Sequence, residues 1–197
     1  MKKLISLVFL ALLFFNYVVY AQSKYESKSF VIEINGTSTM HEWTSKVTSV
    51  SMTGEFTVED NTLKNIHSAT IEMQTKSIKS NKNSSLMDNR TYSTLKADDY
   101  PKIKYIFTKL QSISQSDNET TITLLGNLTL AGSTQATDLT MTGKVLSNET
   151  IEFTGTKKLL MSRFGIKPPS FVLGALKVGD EVSIDYTITL KKTNDQQ

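Results

Sequence analysis

From Phe30 to Leu190, apolar residues return at every second position in runs divided by small polar residues. Val50, Met52, Gly54, Phe56 and Val58 alternate with Ser51, Thr53, Glu55, Thr57 and Glu59, the period of a strand with one dry and one wet face. The same period runs through Phe30, Ile32 and Ile34, through Ala69, Ile71 and Met73, and through Ile103, Tyr105 and Phe107. It continues through Ile122, Leu124, Gly126, Leu128 and Leu130, then through Leu139, Met141, Gly143 and Val145. Ile151, Phe153 and Gly155 follow, and last come Val182, Ile184, Tyr186, Ile188 and Leu190. These eight runs predict an all-β chain. Glu59-Asp60-Asn61, Ser116-Asp117-Asn118 and Ala131-Gly132-Ser133 carry hairpin chemistry, so an up-and-down meander is expected. Eight antiparallel strands with one apolar face can close into a barrel, which leaves no open edge.

Two long stretches interrupt the alternation. In 77–101, Asn83 is placed to cap a short helix with Met87, Thr91 and Leu95 on one face, stopped by Tyr100-Pro101. The stretch 162–180 holds Phe164, Ile166, Pro168, Pro169, Phe171, Val172, Leu173 and Leu176 with few charges. A loop that long and that apolar is expected to form a lid or plug at the barrel mouth, or else to dock on a protein partner. Met52, Met73, Met141, Phe56, Phe107, Phe153, Tyr105 and Tyr186 fall on inward positions. Periodicity alone favours a packed core there over a cavity, although methionine-rich surfaces adapt well to flexible ligands.

Composition bounds the setting. Lys2 and Lys3, the apolar stretch Leu4 to Phe15 and Val19-Tyr20-Ala21 read as an export signal cleaved before Gln22, leaving residues 22–197 as one barrel domain. A periplasmic or secreted location is therefore expected. The net charge of +3 includes those two lysines, so the remainder is close to neutral and offers nucleic acid no basic surface. With no cysteine, stability rests on burial and sheet closure, and thiolate metal sites are excluded.

Catalytic chemistry is sparse. His41-Glu42 is the most reaction-like pair, but Trp43-Thr44-Ser45 follows where a zinc-protease helix needs a second histidine, and His67 is the only other one. Gly36-Thr37-Ser38-Thr39-Met40 is half of a nucleophile elbow, with Met40 where the second glycine belongs. Asp98 and Asp99 are adjacent, so in an extended chain their side chains point apart. No catalytic residue, metal site or cofactor is assigned.

Several segments in order resemble the YceI family of exported bacterial lipid- and polyisoprenoid-binding proteins. They are Gly36-Thr37-Ser38-Thr39-Met40-His41-Glu42-Trp43, Met52-Thr53-Gly54-Glu55-Phe56, the run from Leu95 to Tyr105 that includes Tyr100-Pro101, and Gly126-Asn127-Leu128-Thr129-Leu130-Ala131-Gly132-Ser133-Thr134. Arg163-Phe164-Gly165-Ile166 and Val178-Gly179-Asp180-Glu181-Val182 complete the set. The resemblance implies a lipocalin-like, eight-stranded antiparallel barrel whose apolar channel holds an isoprenoid chain, such as that of a quinone. It turns the packed-core preference into a channel. Its expected lining is Met52, Phe56, Ile71, Met73, Met87, Tyr105, Phe107, Leu124, Leu128, Met141, Phe153, Phe164, Phe171, Ile184 and Tyr186. His41, Trp43 and Arg163 are expected at its mouth.

The expected function is non-enzymatic carriage or storage of an isoprenoid or similar amphiphilic lipid. Transient membrane contact and a homodimer are compatible with it. The alternatives are a barrel enzyme using His41 and Glu42 as acid and base on a lipid-like substrate, and an interaction module working through 162–180.

Overall fold

The computed structural model describes residues 22–117, 119–146 and 150–193; the expected export signal over 1–21 lies outside them. The chain forms β1 (Ser23–Ser38), β2 (Glu42–Val47), β3 (Val50–Glu59), β4 (Thr62–Gln74), β5 (Ile78–Ser80), β6 (Lys102–Ser116), β7 (Glu119–Leu130), β8 (Ser133–Leu146), β9 (Thr150–Leu160), β10 (Ser170–Phe171) and β11 (Leu176–Lys192). One α-helix, α1 (Ser85–Thr94), lies between β5 and β6.

The strands pair antiparallel in the order β11-β9-β8-β7-β6-β4-β3-β1, and β1 pairs again with β11, closing an eight-stranded barrel. These are the eight strands expected from the alternation. Three short strands were not expected. Glu33–Thr37 of β1 turns from β3 to pair with β2, β2 pairs with β5, and β10 forms a short hairpin with the start of β11. β2 and β5 bury Ser45 and Ser80, and these polar inward residues erase the apolar period.

The tight turns follow their residues. Asp60 and Asn61 both have positive φ (47° and 55°) between the paired Glu59 and Thr62, and Ala131 and Gly132 do the same (48° and 81°) between Leu130 and Ser133. That is the type I′ geometry, whose twist matches the flanking strands.

Helix α1 departs from expectation at both ends. Ser84, not Asn83, is the cap, its hydroxyl accepting from the Met87 N–H at 3.3 Å. Asn83 has φ 52° and donates its N–H to the Ser80 carbonyl, a turn conformation rather than the extended one a cap needs. At the other end Lys96 takes φ 52°, and the Ala97 and Lys96 N–H groups close back on the Tyr92 and Ser93 carbonyls. This Schellman-type closure ends the helix before Tyr100-Pro101 is reached. The 162–180 stretch is likewise more ordered than a loop: a 3-10 turn (Met161–Phe164) leads to the β10 hairpin, and β11 begins at Leu176.

The two ends of the barrel differ. At the end holding the β3–β4 turn, Tyr25, Phe56, Leu63, Ile66, Ile122, Ile151 and Leu190 are buried and pack into a plug. Tyr25 meets Phe56 edge-on at 5.5 Å between ring centres, and Phe56 lies 5.7 Å from Phe153. Because the strands alternate in direction, the β1–β2 bend, α1 and the β9–β10 connection all gather at the opposite end.

Candidate functional site

Beyond the plug the interior opens into a cavity of about 480 Å³, within the 300–1,000 Å³ typical of small-molecule sites. Every barrel strand contributes to it. Met52, Met141, Phe153 and Ile188 form the floor against the plug, and Ile32, Ile71, Met73, Ile103, Leu124, Leu128, Ile184 and Val182 line the walls. The rim is built by Ser38, His41 and Trp43 from the β1–β2 bend, by Leu86, Met87, Arg90 and Thr91 of α1, and by Pro169, Phe171 and Val178 of the β10 hairpin.

Polar contacts rather than deep packing hold α1 over this mouth; the helix has no fully buried side chain. Asp88 accepts from the Ser80 N–H at 2.7 Å, and the Tyr92 hydroxyl lies 3.0 and 3.1 Å from the Lys76 and Ile78 carbonyls. Lys79 stands 5.0 Å over the Tyr92 ring. Across the mouth, the Arg90 guanidinium sits 3.9 Å from the centre of the Phe171 ring, joining helix to hairpin.

Two tyrosines place hydroxyls on the apolar wall, beside Ser45, Thr137 and Lys157, and each lies against a glycine of a neighbouring strand. A Cβ on Gly126 would stand 2.3 Å from Tyr105 Cζ, and one on Gly155 would stand 2.5 Å from the Tyr186 hydroxyl. The Tyr105 hydroxyl donates to the Thr137 carbonyl at 3.2 Å. The Tyr186 hydroxyl, out of contact with water, has no hydrogen-bond partner. Burial pushes the Tyr186 phenol up to about 12. Burial first, then the neighbouring Tyr186 and Asp138, raises that of Tyr105. Both phenols are therefore neutral at physiological pH.

Met52, Ile71, Met73, Met87, Tyr105, Leu124, Leu128, Met141, Phe153, Phe171, Ile184 and Tyr186 all line the cavity, with His41 and Trp43 at its rim. Three residues expected in the lining stand elsewhere. Phe56 belongs to the plug, and Phe107 packs against the same core opposite Gly126. Phe164 is buried with Met161 and Ile166 in a separate cluster behind the rim. Arg163 is exposed on the 3-10 turn and is not among the lining residues, so it does not belong to the mouth. Leu86 and Arg90 were missed because the helical pattern of α1 is too weak to orient them. Val47 and Ile78 were missed with their short strands.

The His41–Glu42 pair does not form a catalytic dyad here. His41 Nδ1 lies 2.7 Å from the main-chain carbonyl of Glu42, which takes up the ring nitrogen that a carboxylate would orient. Among the described residues no cluster of histidine, aspartate or glutamate is suited to a metal ion.

The family model described as a YceI-like domain matches residues 34–190. No curated protein matches the chain. Among solved structures, the fold is similar to a polyisoprenoid-binding domain from Saccharophagus degradans implicated in plant cell wall breakdown, with TM-score 0.65 and 11% identity over 88% of this chain and 100% of that one. It is also similar to Burkholderia cenocepacia BcnA, with TM-score 0.62 and 14% identity over 81% of this chain and 95% of that one. The Campylobacter jejuni YCEI protein gives TM-score 0.59 and 17% identity over 77% and 85%. A family match across nearly the whole barrel, joined to a closed eight-stranded wall around an apolar cavity, makes this chain a member of the YceI family.

Proposed function

We propose that the protein binds and carries, or stores, one isoprenoid or similar single-chain amphiphilic lipid in the barrel, without chemical change to it. The observation that carries this reading is the cavity itself: predominantly apolar from floor to rim, plugged at one end and reaching the surface at the other. Each methylene moved from water onto such a wall contributes about 0.8 kcal/mol, enough over a prenyl chain to outweigh much of the cost of immobilising it. The polyisoprenoid-binding description of the Saccharophagus degradans neighbour supports the same ligand class.

Transient contact with a membrane belongs to the reading. Met40, Leu86 and Leu173 are 71%, 59% and 111% exposed on the three segments that surround the mouth, where apolar tips suit a lipid surface from which a chain is taken up. A periplasmic or secreted location is supported by the charged start and apolar run of the first residues; recovery of a mature protein beginning at Gln22 is the check. A non-enzymatic role is supported by the engagement of His41 with main chain rather than with the Glu42 carboxylate.

Trp43 is the sole tryptophan and stands at the rim, so its fluorescence reports occupancy. Titration with prenyl lipids of increasing length is expected to give a saturable change at one lipid per chain. A linear, non-saturating response would overturn the proposal.

A further inference from the structure

Polar lipids are usually imagined with the head at the mouth and the tail inside; a single unsatisfied hydroxyl deep in this barrel argues for the reverse. Tyr186 pairs with Gly155 and Ile32, one layer above the floor formed by Phe153 and Ile188. Its hydroxyl is buried, lines no bonded network and is the one buried side-chain polar atom without a partner among the described residues. An unpaired buried hydroxyl is destabilising, a cost that a ligand acceptor placed against it removes.

The surroundings restrict what that acceptor is. Tyr105, on β6, lies with its ring against Gly126 of β7, and its hydroxyl proton is committed to the Thr137 carbonyl of β8, leaving the oxygen free to accept. Lys157 also lines the cavity, but its ammonium is held by Asp138 at 3.0 Å. A ligand carboxylate or phosphate at this depth would therefore lose its water against an apolar wall with no free positive charge to meet it. A neutral oxygen loses far less.

We propose that the ligand carries a neutral oxygen, a carbonyl, ether or hydroxyl, that enters first and accepts a hydrogen bond from Tyr186 near the floor, its hydrocarbon chain trailing toward α1 and Phe171. The inference rests on the apolar-chain reading above and adds both a chemical class and a direction of insertion. Gly155 belongs to the same device: any side chain there would occupy the space of the phenol.

The test compares a long-chain methyl ketone with the alkane of equal length, each titrated into the wild-type protein and Y186F with Trp43 fluorescence as the readout. The ketone is expected to bind the wild type about 3- to 10-fold more tightly than Y186F, as fits one net hydrogen bond, while the alkane binds both alike. Equal ketone affinity for the two proteins, with the alkane still bound, overturns the Tyr186 inference and leaves the apolar-chain reading standing. Failure of both ligands to bind the wild type overturns both. Should Y186F not fold, the infrared carbonyl stretch of the ketone bound to the wild type decides alone: a shift to lower frequency than in alkane solvent is expected, and an unshifted band contradicts the proposal.

Discussion

The guanidinium of Arg90 lies 3.9 Å from the centre of the Phe171 ring, and this contact bridges the mouth of the barrel from the helix to the β10 hairpin. Neither partner is anchored by deep burial: α1 has no fully buried side chain, and β10 is a two-residue strand. A cation over an aromatic face contributes about 0.5–1 kcal/mol at such a site. R90A is therefore expected to speed release of bound lipid by roughly 2- to 5-fold, the rate equivalent of that energy, with the melting temperature nearly unchanged. Stopped-flow displacement by excess competitor checks this. An unchanged release rate would show that the bridge does not gate the mouth.

Phe56 forms the top of the plug, touching Phe153 of the cavity floor on one side and Tyr25 on the other. Its removal in F56A is expected to cost about 3–5 kcal/mol, the usual range for a buried phenylalanine truncated in a packed core. Urea denaturation measures that loss. The vacated volume adjoins the floor, so the surviving folded protein should also shift its preference toward longer chains.

Gly155 and Gly126 have no room for a side chain, since a Cβ would fall within 2.5 Å of Tyr186 or Tyr105 atoms. G155A is expected to destabilise by about 1–3 kcal/mol through overpacking and to weaken ligand binding by displacing the phenol. At an unconstrained strand position, glycine to alanine would instead stabilise slightly. Thermal unfolding decides between the two signs.

The raised tyrosine pKa values fix the direction of an alkaline effect. The Tyr186 phenol ionises near pH 10 in the unfolded chain but only at about 12 in the barrel, so between those values the unfolded state has lost a proton that the native state keeps. The stability this group contributes is full below about pH 10 and falls as pH rises through about 12, and Tyr105 acts in the same direction. Denaturation midpoints measured across this range should decline, and the decline should be smaller in Y186F.

Much of this architecture is legible in the alternation of residues, because a two-residue period marks which side chains face inward. It carries no measure of depth. Phe56 and Met52 occupy equivalent inward positions four residues apart on β3, yet one is sealed in the plug and the other forms the cavity floor. Their separation depends on where strands end and which neighbours fill the lower barrel. Ser45 and Ser80 hid two strands because serine reads as exposed surface, whereas both are buried and the Ser80 hydroxyl is bonded to the Ser84 main chain. Gly126 and Gly155 stand in the inward pattern as bare glycines; their meaning depends on a tyrosine from an adjacent strand, a relationship visible only in the folded register.

Native mass spectrometry of the full chain, purified without detergent from its own cells, tests most directly whether the barrel holds a lipid. The expected result is a single non-covalent adduct per chain that organic extraction releases as an isoprenoid or related neutral amphiphile. A mass equal to the bare polypeptide, with no adduct regained on incubation with prenyl lipids, would contradict the account.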